Sequence, residues 1–266
     1  MDLLLTTDGI VMKHTKASGG RNMLLIFTKK YGKLSVGTGS NMRNNRSKSA
    51  LATRPFTYGS YEIFKNRGYY NYNTGEVKKT FFSFGEDLDK YTAGSYVLEL
   101  TEKILPEEIP EPSLFVTLLD FMETLEKRNK KPLTLILAYE IKMLNLLGTS
   151  PNMRSCSCCG KQGSHEFFSI RDGGMICRFC YEKEREKFAE SKGIDKGSVK
   201  AVPLIYRANF DIVNIVEFFI KTPLPSFAGI ALAEKEAVRL QEIVREYISF
   251  HHNIGTLKSE SLISGF

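Results

Sequence analysis

Residues 55–81 read PFTYGSYEIFKNRGYYNYNTGEVKKTF. Phe56, Tyr58, Ser60, Glu62 and Phe64 recur every second position, the period that puts alternate side chains on one face of a strand. Tyr69–Phe81 is a second aromatic run, and Asn73-Thr74-Gly75 inside it reads as a turn. Towards the N-terminus, Lys33–Thr38 follows the turn signal Tyr31-Gly32, and Met23–Thr28 precedes it. Ile10, Met12 and His14 alternate with Val11, Lys13 and Thr15. Five short strands within residues 8–80, joined by Gly-rich turns, predict a small barrel or sandwich.

Towards the C-terminus the period changes. Ser83 with Glu86 three residues on has the form of a capping box, and Leu88, Tyr91, Ser95, Leu98 and Leu105 follow at helical spacing. Pro112 suits the first turn of a second helix whose apolar face is Leu114, Leu118, Phe121 and Leu125. Pro132 opens a third, carrying Ile136, Tyr139, Met143 and Leu147, and Gly148 stops it. After a cysteine segment at 152–182, helical patterning resumes at about Ser198. Asp211–Lys221 and Ala233–His252 are the last two helices, the latter with Val238, Leu240, Ile243, Val244, Tyr247 and Ile248. These stripes are packing surface, and the helices flanking the cysteine segment are expected to pack together.

All five cysteines, Cys156, Cys158, Cys159, Cys177 and Cys180, lie in that one segment. A disulfide framework would spread them along the chain; clustering points to a metal. Cys156-x2-Cys159 and Cys177-x2-Cys180 form two knuckles, each able to aim two thiolates at one ion, with Cys158 left over. Gly160 supplies the positive φ that a knuckle turn needs. Four sulfurs close a tetrahedral zinc shell and leave no open position, so the expected role is structural: the ion replaces a core that so short a segment cannot build.

Charge is divided unevenly. Residues 1–80 hold 14 Lys+Arg against 4 Asp+Glu, a balance of +10, whereas the remainder holds 23 against 26. Between Asp8 and Glu62 there are ten basic residues and no acidic one. Solubility does not require excluding every carboxylate; a one-sign field attracts polyanions. Gly39–Arg54 reads as a flexible basic loop, and Lys33, Arg43, Arg46, Lys48, Arg54, Lys65 and Arg67 are the candidate nucleic-acid contacts, with DNA and RNA both open at this point. Nine aromatics also fall in residues 1–80, and a basic groove with ring platforms is the design of single-strand binders. Most of these rings must fill the core, and one or two are expected to be exposed to bases, with hairpin residues such as Tyr70 or Tyr72 as candidates. No carboxylate cluster or histidine triad supports catalysis, so no enzyme is expected. No apolar run has the length of a membrane span, and the N-terminus lacks the pattern of a secretory signal. A soluble, cytoplasmic, nucleoid-associated protein is expected.

Several blocks together resemble one family. Thr7-Asp8-Gly9-Ile10-Val11, Gly32-Lys33-Leu34-Ser35 after Phe27-Thr28, Pro55-Phe56-Thr57-Tyr58-Gly59, Glu86-Asp87-Leu88, Ser95-Tyr96-x-Leu98-Glu99-Leu100, Leu146-Leu147-Gly148, the Cys-x2-Cys-Gly knuckle and Leu257-Lys258-Ser259 are collinear with the RecO family of bacterial recombination mediators. The resemblance implies an α+β multidomain protein: an OB-fold at 1–81, a helical domain at 82–151 and 183–266, and a zinc module at 152–182 inserted in it. It implies single- and double-stranded DNA binding and strand annealing without turnover, and action with RecR to load RecA on DNA coated by the single-stranded-DNA-binding protein SSB. Arg46-Ser47-Lys48 stands where the family carries a basic loop facing DNA. Gly20-Arg21-Asn22 departs from an acidic-basic pair usual there. The acidic, apolar-ended SSB tail calls for an apolar pocket rimmed by cations such as Lys142, Arg207, Lys221 or Arg239. The competing reading is a zinc-ribbon RNA-binding protein of transcription or translation.

Overall fold

The computed structural model describes residues 3–16, 22–38, 48–163, 165–208 and 210–260. Strands β1 (Leu3–Lys16), β2 (Asn22–Thr28), β3 (Gly32–Thr38), β4 (Thr57–Asn66) and β5 (Tyr69–Thr80) close into a barrel with neighbour order β1-β2-β3-β5-β4. β3 and β5 run parallel, and the other barrel ladders are antiparallel. The expected OB-type barrel is therefore present. Its fourteen-residue first strand serves two neighbours, pairing β4 through Leu3–Ile10 and β2 through Gly9–Lys16. The register shift between Val11 and Lys13 is the bulge that bends it from one neighbour to the other. Leu5, Val11, Leu24, Ile26, Leu34, Val36, Tyr61 and Ile63 fill the interior.

Three local expectations differ from the structure. Asn73-Thr74-Gly75 is not a turn: β5 runs straight through it, with a register shift opposite Glu62/Ile63. The hairpin turn is Arg67-Gly68, whose φ values of 48° and 85° are those of a two-residue turn that follows strand twist. Gly75 instead lets another element approach, since a Cβ there would stand 3.1 Å from the Ala52 Cβ. That element is helix α1 (Lys48–Ala52), so the end of the Gly39–Arg54 stretch is packed rather than a flexible loop. Tyr61 and Thr57 hydroxyls donate to the Ala52 and Leu51 carbonyls at 2.8 and 3.0 Å. Ser83 and Glu86 lie in a 3-10 segment, Phe82–Glu86, and Asp87 caps the next helix by accepting from the Lys90 N–H.

The described chain forms two compact units, Met1–Ile136 with Phe227–Gly229 and Thr256–Phe266, and Leu137–Ser226 with Ile230–Gly255. In the first, α2 (Leu88–Ile104) and α3 (Pro112–Lys127) accompany the barrel, and α4 (Leu133–Leu146) begins. Of the stripe expected on α2, Leu98 and Leu105 are buried, Leu88 and Tyr91 are exposed, and Ala93, Val97 and Leu100 complete the buried face. On α3 the expected Leu114, Leu118, Phe121 and Leu125 are all buried, with Pro112 in the first turn.

In the second unit, the rest of α4 packs with α6 (Ile212–Lys221) and α7 (Glu234–His252) around Ile141, Leu144, Val216, Leu240 and Ile243, as expected of the flanking helices. Between them lies a three-stranded sheet, β7 (Gly174–Ile176), β6 (Phe167–Ser169) and β8 (Ile205–Arg207), in that order. Helix α5 (Arg178–Lys192) starts inside the cysteine segment, earlier than its patterning suggested. β8 pairs with β6, so residues well beyond 182 complete this sheet.

Candidate metal centre and nucleic-acid interface

The Sγ atoms of Cys156, Cys159, Cys177 and Cys180 all lie within 4.8 Å of one another. Cys159 and Cys177 are 3.8 Å apart, the edge of about 3.8 Å that a tetrahedron with ~2.3 Å metal–sulfur bonds requires. The first knuckle is a tight turn in which the Gly160 N–H donates to the Cys156 carbonyl at 2.8 Å, with Gly160 at φ +74° as the spacing demanded. The second is set by β7 and the start of α5, with Cys177 at the N-cap position.

Burial pushes the Cys156 thiol up, but N–H groups of Cys177, Cys159 and Cys158 outweigh it and bring the thiol down to about 6. Burial and the neighbouring thiols push Cys180 up. Four sulfurs this close cannot all ionise unaided; a divalent cation at their centre removes the conflict. The donor set therefore fits a metal, and Cys158 is exposed outside it. Among the described residues, Phe167 and Ile176 complete the buried cluster around the sulfurs and Tyr181 and Ile205 pack against it, so an ion held there would cross-link a small apolar core.

The barrel ladders show where the basic segments depart. Lys16 opposes Asn22, Asn22 opposes Thr38, Gly37 opposes Asn71, and Asn66 opposes Tyr69. The β1–β2 connection, the β3–α1 connection and the β4–β5 turn thus leave from one end of the barrel. In sequence they carry Lys16, Arg21, Arg43, Arg46, Lys48 and Arg67 and no acidic residue. Arg21, Arg43 and Arg46 lie outside the described residues; Lys48 opens α1.

The other lysines of the barrel strands have internal partners. Lys33, partly buried and with its pKa lowered by burial, donates to the Glu102 carbonyl at 2.7 Å. Lys65 donates to the Tyr70 hydroxyl at 2.6 Å and pairs with Glu108 at 3.3 Å. Lys13, Lys78 and Lys79 pair with Glu102, Asp8 and Glu126. Arg54 sits 5.9 Å from the Phe82 ring, before β4 and so at the opposite end from Arg67. Lys33 lies beside Lys65 through Glu108, whose N–H donates to the Lys33 carbonyl at 3.1 Å and whose carboxylate accepts from Lys65 and the Tyr70 hydroxyl. Of the seven candidates, the described side chains Lys65 and Arg67 share the basic end.

Two family models match the chain: "Recombination protein O N terminal" over residues 1–81 and "Recombination protein O C terminal" over residues 85–217. The chain belongs to the RecO family. A RecO-family relative from Alkaliphilus metalliredigens, named DNA repair protein RecO, is 28% identical over 250 residues, 94% of each chain. Another so named, from Listeria welshimeri, is 32% identical over 178 residues, 67% of this chain and 69% of its own.

RecO membership gives the two sequence blocks around Glu99 and Ser259 a shared purpose. The Glu99 carboxylate accepts from the Lys258 N–H at 3.0 Å, the Ser259 N–H at 2.9 Å and the Ser259 hydroxyl at 2.6 Å. Sequence alone does not join residues 160 positions apart. The expectation for Tyr70 and Tyr72 fails: Tyr70 is buried and Tyr72 packs against the barrel core. The ring exposed at this turn is Tyr69, at 76%. Strand alternation counted from Arg67-Gly68 would have found it; counting from a turn at Asn73 hid it.

Proposed function

We propose that this RecO-family chain acts in DNA repair by binding single- and double-stranded DNA at the basic end of its barrel and annealing complementary strands. The observation that carries the reading is the ladder register, which sends three basic, acid-free connections out from one end. The names of the relatives, DNA repair protein RecO, support the cellular role. Phosphate contacts of this kind impose little sequence preference. Annealing follows physically: cations that hold one strand reduce its repulsion of the incoming one. The proposed action with RecR, loading RecA on SSB-coated DNA, uses the same surface without any enzymatic turnover.

The ion at the four cysteines is, on this reading, one structural Zn2+ per chain. For the SSB tail, the second unit offers a cavity of about 240 Å³ lined by Pro151, Met153, Val216 and Ile220 and rimmed by Arg154, Lys221 and Glu217, the last paired with Lys221 at 2.7 Å, so Arg154 is the cation it chiefly presents. Of the earlier candidates, Lys142 instead donates to the Ile220 carbonyl at 2.9 Å, and Arg239 pairs with Glu242 at 2.7 Å. No helix among the described residues is long and apolar enough to cross a membrane.

The test is strand annealing with and without SSB, using Arg46→Glu with Lys48→Glu. The double variant is expected to lose annealing while keeping its far-UV spectrum and metal content. Unchanged annealing refutes the reading, and preference for structured RNA in competition would favour a zinc-ribbon RNA binder instead.

A further inference from the structure

Strand alternation fixes which side chains cover the outside of the barrel at its basic end. Leu5, Ile63 and Tyr70 are buried inside, so Leu4, Phe64 and Asn71, each one residue removed, point outward. The ladders set these three side by side: Leu4 opposes Phe64, and Phe64 opposes Asn71. Two positions further along, Asn66 opposes Tyr69 on the same face. Next to Asn71 comes Gly37, which has no side chain to raise the floor. Leu4 is 46% exposed, Phe64 36% and Tyr69 76%. Large apolar groups are thus left in water along one short strip.

We propose that Phe64 and Tyr69 form a platform on which bases of a single-stranded nucleic acid stack, an inference that rests on the nucleic-acid reading above. The occupant follows from charge. The strip borders exposed Arg67, and the connections that follow β1 and β3 carry Arg21, Arg43 and Arg46 in sequence with no acidic residue, so a ligand lying on it is expected to bring negative charge as well as flat apolar surface. A single strand brings both; every base has a π-face, and its phosphates reach the surrounding cations. The first carboxylate along β4 in this face, Glu62, accepts from the Asn73 amide at 2.9 Å and marks the edge of the strip. Stacking grips a base by its face and leaves its pairing edge open. The strip would therefore hold a strand in the state an incoming complement can read, which charge alone does not ensure.

The experiment compares a fluorescein-labelled oligo(dT) with an abasic strand of equal length, binding each to the full chain over a salt series. The wild type is expected to prefer the base-bearing strand. Tyr69→Ala, alone and with Phe64→Ala, is expected to weaken oligo(dT) binding by about tenfold per ring. Abasic binding and the salt slope should stay as they were, and Tyr69→Phe should behave as wild type. Tyr69→Ala removes an exposed ring and serves should the double variant fold poorly. Equal affinity of wild type for both strands overturns the platform, as does an equal loss on both strands, which is what a damaged fold or a lost protein-docking face would give. Failure of wild type to bind either strand would overturn the underlying reading instead.

Discussion

Glu99 ties the end of the described chain to helix α2 through three hydrogen bonds. Burial favours its neutral form, but the donors on Ser259 and Lys258 prevail and hold its pKa below the ordinary value of 4.5. A depressed folded pKa means that the stabilisation is complete at neutral pH and is lost as pH falls through the folded value. Glu99→Gln is expected to cost about 1–2 kcal/mol at pH 7 and to erase this contribution to acid sensitivity. Urea unfolding at pH 7 and pH 4 checks both; an unchanged pH dependence would refute the assignment. Residue-level legibility was mixed for a physical reason. Thiol spacing is local chemistry, so the four ligands stood out in the sequence. The partners of Lys33 and Lys65 come from residues 102–108, and no local pattern announces a pairing across that distance.

Elements were recognised wherever periodicity ran long enough to outvote single residues. The five strands and the apolar face of α3 are such cases. Short elements with few residues to average, such as α1 and β6 to β8, went unseen. Glycine roles were the weakest part, because the same residue serves turns and close approaches. Gly32 does both: its φ is +72°, and a Cβ would fall 2.2 Å from the Ile109 carbonyl oxygen. Gly32→Ala is expected to destabilise by about 2 kcal/mol or more, whereas Gly68→Ala, at φ +85° in open space, should cost only about 1 kcal/mol. Thermal melts of the two variants distinguish steric from purely conformational cost. For the cysteine module, Cys159→Ser or chelation should release a bound metal and open the two knuckles, residues 152–182, to protease, since the sulfurs sit at the centre of the cluster that joins them. Metal retained at wild-type stoichiometry would contradict this.

At the level of the whole molecule, the salt dependence of DNA binding measures how many cations act together. If roughly five phosphates are neutralised, log K should fall with log salt at a slope near −3.5 on single strands. Arg67→Ala should reduce the magnitude of that slope by about 0.7, whereas Arg54→Ala, at the other end of the barrel, should leave it alone. Equal effects from the two variants would mean that the cations act as a diffuse field. Composition, period and spacing between near neighbours were enough to read the order of barrel, helices and cysteine module, the four clustered thiols, and the excess of positive charge in the first third. Which cations face the solvent, which ring is exposed at the β4–β5 turn, and which glutamate holds the C-terminal segment emerged with the folded arrangement. Register and closure bring distant residues into contact, and a one-residue change in strand register moves a side chain from the core to the surface.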